Sequence, residues 1–197
     1  MFVKICGVTN SEVAQAAIDG GAQALGFIFH PPSPRHTSPH ALGDWIDTIP
    51  PNIWRVGVFV NRPVAEIEQV CADLDLNVAQ LHGSETAADF PKTVRVWKAI
   101  RVNGTLDHAA LDFPAEAILL DGPASGKPFH WEYARGLKQK TILAGGLDEH
   151  NVAAAIEQVQ PWGIDACSSL ESSPGRKDIA RMARFLQACQ LAALSHK

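Results

Sequence analysis

A thiol, a guanidinium, an amide, an imidazole and a carboxylate stand along this 197-residue chain at or just after the ends of short apolar runs. They are Cys6, Arg35, Asn61, His82 and Asp121, and two later runs end on Gly145-Gly146 and Ser168-Ser169. Side chains of these types move protons and hold anions, and paired small residues present backbone N–H groups that suit a phosphate. A glycine pair alone is usually a turn, so the phosphate reading rests on two such loops following neighbouring runs. A lone Cys is ordinarily a small buried hydrophobe, and Cys71, Cys167 and Cys189 are read as structural. Cys6 is set apart by its position, between the apolar run Phe2, Val3, Ile5 and Gly7, which permits a sharp exit into a helix.

The elements that would position these groups repeat one unit, a strand followed by a helix. Short, partly β-branched runs predict strands over 2–6, 24–29, 54–60, 78–81, 95–100, 117–120, 141–144 and 164–167. Between them, apolar residues at helical spacing predict crossovers, for example Val13, Ala16 and Ala17 after a Thr9-x-x-Glu12 start, or Leu42, Trp45, Ile46 and Ile49 after Ser38-Pro39. Ser84 is expected to cap a short helix with Glu85 in its first turn, and Asp148 a longer one through Val152, Ala155, Ile156 and Val159. The segments 103–114 and 131–137 are expected to be helical on weaker patterns.

Eight such units in one unbroken chain predict a (β/α)8 barrel forming a single domain over residues 1–197. The alternative is an open doubly wound sheet, but the turn after the first strand lacks the G-x-G-x-x-G that a dinucleotide-binding version would carry. In a barrel the singled-out residues gather at the C-terminal end of the strands, where barrel enzymes do their chemistry.

Other classes lose ground. The net charge of −4 without a basic run excludes an electrostatic nucleic-acid or anionic-membrane footprint, and no apolar stretch approaches a membrane span of ~20 residues. Four dispersed cysteines without a C-x-x-C pair predict reduced thiols and a cytoplasmic protein. Gly122 to Lys127 reads GPASGK, one residue short of a nucleotide-binding loop and with Pro128 where a Ser or Thr is needed. His36 and His40 straddle the helix start at Ser38-Pro39, so one face cannot present both to a metal.

KICGVTN at 4–10, GFIF at 26–29, SPR at 33–35, VGVFVN at 56–61, QLHG at 80–83, LLD at 119–121, AGGL at 144–147 and PGRKD at 174–178 resemble the phosphoribosylanthranilate isomerases of tryptophan biosynthesis across nearly the whole chain. The resemblance implies a cofactor-free (β/α)8 enzyme. It implies Cys6 as general base, Asp121 as general acid, and Arg35 on the anthranilate carboxylate. It also implies Gly145, Gly146, Ser168 and Ser169 on the phosphate, with His82 lining the site. Two departures fall in presumed phosphate-side loops: Pro123-Ala124 replaces a doubled glycine, and Cys167-Ser168-Ser169 stands where Ser-Ser-Gly is usual. A related phosphosugar barrel enzyme, or a barrel that binds such a ligand without turning it over, are the alternatives. The expected partner is a small phosphorylated substrate, and the expected assembly is a monomer or weak dimer.

Overall fold

In the computed structural model of the chain, which describes residues 1–106, 111–124, 128–137 and 139–194, eight parallel strands close in chain order into a barrel. They are β1 (Phe2–Cys6), β2 (Ala24–Ile28), β3 (Trp54–Phe59), β4 (Val78–Leu81), β5 (Arg95–Arg101), β6 (Ala117–Asp121), β7 (Lys140–Leu143) and β8 (Gly163–Ala166). Closure is made by β8 pairing back onto β1, in register from Phe2 opposite Gly163 to Ile5 opposite Ala166.

The strands are apolar on both faces because each face meets a different layer. Ala24, Val56, Val78, Trp97, Ala99, Leu119 and Ile142 form one buried cluster, while residues such as Ile5, Leu25, Phe27, Leu81 and Ile118 join a second cluster with the helices. The N-terminal end of the barrel is plugged by rings. Phe2 stacks on Trp162 at 4.5 Å and meets Trp54 and Trp97 edge-on at 5.5 and 5.9 Å. Burying a side chain of this kind stabilises by roughly 1.5–3 kcal/mol, so this end is a structural floor.

Among the described residues the α-helices are α1 (Ser11–Asp19), α2 (Pro39–Gly43), α3 (Val64–Asp73), α4 (Val152–Val159) and α5 (Ile179–Leu194). Several helix starts differ from expectation by a local competition for backbone donors. Asn10, rather than Thr9, caps α1, its Oδ1 accepting from Val13 N at 2.9 Å. Ser38 caps α2 as expected, but that helix ends at Gly43 and a separate 3₁₀ turn covers Ile46–Thr48. Leu42, Ile46 and Ile49 are nonetheless all buried, so their spacing reported a buried face rather than a continuous helix.

Ser84 caps nothing; Thr86 and Asp89 form a reciprocal cap on the 3₁₀ turn Ala87–Asp89, and Glu85 turns inward instead. Asp148 Oδ1 accepts from the amides of His150 and Asn151, making a turn ahead of α4, which begins at Val152. Among the described residues the crossover after β6 holds a short 3₁₀ turn, Trp131–Ala134, followed by the left-handed Gly136 (φ 76°). The helix expected over 103–114 includes 107–110, and the GPASGK stretch includes 125–127, both outside the described residues. Among the described residues no helix is long and apolar enough to cross a membrane.

Candidate active site

The C-terminal strand ends surround a cavity of about 270 Å³ whose lining includes Cys6, Arg35, His82, Asp121, Gly145 and Ser168, with Gly146 beside them. Ser169 stands apart. Its hydroxyl donates to the carbonyl of Leu147, tying the loop after β8 to the loop after β7. Asn61, also singled out by position, likewise braces loops: it adopts a left-handed conformation (φ 49°), and its Oδ1 accepts from Ser84 N at 2.8 Å.

Cys6 sits on the last residue of β1 with its sulfur pressed close to Gly26, where a Cβ would lie 2.8 Å from Sγ. Cys167, expected to be a structural thiol, instead lies just past β8 and lines the same cavity. The expectation failed because Cys167 stands two residues after Asp165, whose side chain faces the barrel interior, and so continues the inward face of β8 rather than packing under the helices. A hydrogen bond from the Cys167 thiol, then the charges of Lys4 and Lys177, hold the Cys6 thiol well below the usual thiol range in spite of its burial. The same hydrogen bond, joined by burial, pushes Cys167 well up. The shift in opposite directions favours the negative charge on Cys6, the thiol beside Lys4.

Lys4 is fully buried inside the barrel and donates to Asp165 Oδ1 at 2.8 Å. Burial alone would lower its pKa, but Asp165 and Cys6 together raise it above the ordinary value. Burial pushes the Asp165 carboxyl up to about 6 against the pull of Lys4, with the charges of Cys6 and Asp121 adding to the rise. One cation thus serves two neighbouring anions.

Asp121 ends β6, where its Oδ1 accepts from Gly122 N at 2.9 Å and its Oδ2 lies 3.3 Å from His82 Nε2. Gln80 Nε2 lies 3.3 Å from His82 Nδ1. With the amide as donor, Nδ1 accepts, so the hydrogen of the neutral ring sits on Nε2 and faces Asp121. The turn carrying His82 is held from below by Lys98, whose Nζ reaches Gly83 O at 2.7 Å and Glu85 Oε2 at 2.9 Å. Burial would raise the Glu85 carboxyl, but the hydrogen bonds from Lys98 and Asn61 N hold it below the usual range.

Arg35 presents Nε and Nη2 to the two oxygens of Glu171 at 2.7 and 2.8 Å, and Lys177 Nζ adds a third contact to Oε1 at 2.7 Å. Glu171 and Lys177 come from a small hairpin after β8, β9 (Glu171–Ser173) with β10 (Arg176–Lys177), within which lies Gly175. The side-on face of the Arg35 fork is thus taken by the protein, leaving its end for a ligand.

Gly145 and Gly146 both have positive φ, 83° and 67°. A Cβ on Gly145 would lie 2.4 Å from the backbone nitrogen of Gly122, so the loops after β6 and β7 can approach this closely only with glycine there. Among the described residues no protein acceptor takes the amides of Gly146, Ser168 or Ser169.

Lys4, Gln80, Asp165, Glu171 and Lys177 were not singled out from the sequence. Lys4 and Asp165 did leave a signal, since each is a charge within a run that must be buried on both faces, a placement that requires a partner.

Residues 3–188 match the family described as N-(5'phosphoribosyl)anthranilate (PRA) isomerase. An N-(5'-phosphoribosyl)anthranilate isomerase of Solibacter usitatus is 47% identical over 199 residues, covering 98% of each chain. The crystal structure of a phosphoribosyl anthranilate isomerase from Thermus thermophilus superimposes with a TM-score of 0.91 at 35% identity, over 98% of this chain and 100% of that one. A second isomerase structure, in complex with reduced 1-(o-carboxyphenylamino)-1-deoxyribulose 5-phosphate, gives 0.86 at 34% identity, over 96% and 98% of the two chains.

Proposed function

The chain belongs to the N-(5'-phosphoribosyl)anthranilate isomerase family, and from that premise we propose that Cys6 and Asp121 are the base and acid of an Amadori rearrangement in tryptophan biosynthesis. The reaction converts N-(5-phosphoribosyl)anthranilate into 1-(2-carboxyphenylamino)-1-deoxyribulose 5-phosphate. Asp121 donates a proton to the ribose ring oxygen as the bond from that oxygen to C1 breaks, leaving an imine at C1. The Cys6 thiolate then removes the proton from C2, and the enamine formed rearranges to the ketone. The observation that carries the reading is that a thiol, its pKa held down by its neighbours, and a carboxyl reach one cavity from β1 and β6.

The ligand's two anionic ends have separate candidate partners. The free end of the Arg35 guanidinium suits the anthranilate carboxylate. The unused amides of Gly146, Ser168 and Ser169 suit the phosphate, with the Ser169 side chain bracing the loop rather than touching the ligand. Replacing Gly146 by Val strains a left-handed position and crowds these amides. It is expected to raise KM by roughly 10–100-fold, the value of one or two charge-assisted hydrogen bonds, with a smaller fall in kcat. A fall mainly in kcat would put the phosphate elsewhere.

The direct test is loss of anthranilate-type fluorescence when the purified protein meets phosphoribosylanthranilate. A barrel that binds without turnover would show binding and no decay. Sedimentation at low micromolar concentration is expected to give a monomer or weak dimer. Large exposed apolar side chains among the described residues are confined to Met1, Ile179, Leu191 and Leu194.

A further inference from the structure

The Cys6 and Cys167 thiols open onto the same cavity for a reason built into the sheet. β1 and β8 pair in parallel up to Ile5 opposite Ala166, so the next residues on the two chains are Cys6 and Cys167. Neighbouring strands lie about 4.8 Å apart, within the Cα separation of about 4.4–6.8 Å that a disulfide spans. Two glycines make the room. A Cβ at Gly26 would lie 2.8 Å from Cys6 Sγ, and one at Gly7 would lie 3.1 Å from Cys167 Sγ. Both thiols are free, and both line the cavity. Lys177 Nζ lies 3.8 Å from Cys167 Sγ, so the pair also has a cation beside it.

We propose that Cys6 and Cys167 form a reversible oxidation site, at which hydrogen peroxide entering the substrate cavity closes a disulfide that removes the catalytic base. The effect on turnover rests on the assignment of Cys6 as base; the disulfide itself does not. In the first step the Cys6 sulfur attacks one peroxide oxygen, the O–O bond breaks, and hydroxide leaves, giving a sulfenic acid. In the second the Cys167 sulfur attacks Cys6 sulfur, the S–O bond breaks, and the hydroxyl leaves with the Cys167 proton as water. The two sulfurs lose two electrons and the peroxide gains them. A thiol reductant reopens the bond by exchange.

Cys71 and Cys189 provide an internal control. Both are buried in helices, and burial pushes each thiol up to about 12, so neither competes for peroxide.

The experiment treats the full-length protein with hydrogen peroxide and reads intact mass, linked peptides and activity before and after reductant. The expected result is a loss of two hydrogens, one linked pair joining the peptides of Cys6 and Cys167, a fall in turnover of at least ~100-fold and its return with dithiothreitol. Under prolonged peroxide the Cys167→Ser variant, with no second sulfur, is expected to gain oxygen at Cys6 and to recover poorly with reductant. Linkage through Cys71 or Cys189, or recovery of Cys167→Ser equal to that of the parent protein, would overturn the proposal. So would oxygen gain without linkage in the parent protein, a readout that needs no variant. A complete Cys6–Cys167 disulfide with turnover retained would overturn the base assignment and with it the switch, while leaving the disulfide standing.

Discussion

Cys6→Ala and Asp121→Asn each lower kcat by roughly 10²–10⁴-fold, the range for losing one proton-transfer group, while KM changes little. Asparagine is the informative replacement at 121. Its side-chain oxygen can still accept from Gly122 N, now at 2.9 Å, and its bulk still fills the place beside His82. A merely structural Asp121 would therefore survive the change, and only loss of the acid proton predicts a large fall in rate. The Cys6→Ala change also removes the sulfur toward which the Cys167 thiol is directed. Rescue of turnover by that neighbouring thiol would show as a second, much higher pKa in the rate profile. Single-turnover kinetics on both variants check the result, and near-parental rates in either would remove that residue from the mechanism.

The strands were the most readable part of the fold because a buried parallel strand needs little more than a short apolar run with a sharp stop. Phe2–Cys6 and Val78–Leu81 were read to the residue, and each of the other strands differs by one position at one end or both. Helix starts were less readable because neighbouring polar residues compete for the same amides. At 9–10 and 84–86 the sequence offers two or more capable caps in a row, and only the path of the preceding strand decides between Thr9 and Asn10, or Ser84 and Thr86. The crossovers after β4 and β6 carry 3₁₀ turns where helices were expected, since barrel closure requires only that the chain return along the outside of the sheet.

The site was legible to the extent that its groups sit at strand ends. Cys6, Arg35, His82, Asp121, Gly145, Gly146 and Ser168 were found by position alone, with roles supplied by resemblance, whereas Gln80, Asp165 and Cys167, which line the same cavity, were not. What could not be read is which charges are paired. Arg35 and Glu171 are separated by 136 positions, and Lys4 and Asp165 by 161, so nothing short of barrel closure brings them together. Cys167 was misjudged for a related reason. Side chains alternate between the two faces of a strand, so Cys167 shares the inward face of Asp165, and which face of β8 is the inward one shows only once Lys4 meets Asp165 across the closed barrel.

Lys4→Met tests whether the buried cation sets the state of the base. Lys4 is one of the groups holding Cys6 below the usual thiol range, and a neighbouring opposite charge is worth about 1–3 pKa units. Without it the Cys6 pKa rises, the thiolate becomes scarce at neutral pH, and kcat/KM there falls by roughly 10–10³-fold. The loss shrinks as pH rises and the thiol ionises, so the acid limb of the pH–rate profile moves to higher pH. A uniform loss at every pH would reduce Lys4 to a packing residue. Stability carries the opposite pH dependence. Removing one member of a buried ion pair costs about 3–5 kcal/mol when the other stays charged, but Asp165, already pushed up to about 6, escapes by taking a proton. Its folded pKa then stands further above the ordinary 3.8. A raised carboxyl stabilises the fold fully below its unfolded value, and that contribution is lost as pH rises through its folded value. The variant should therefore lie close to the parent protein in urea unfolding at about pH 5 and fall behind it by about pH 8. A deficit independent of pH would mean that Asp165 is not the group left unpaired.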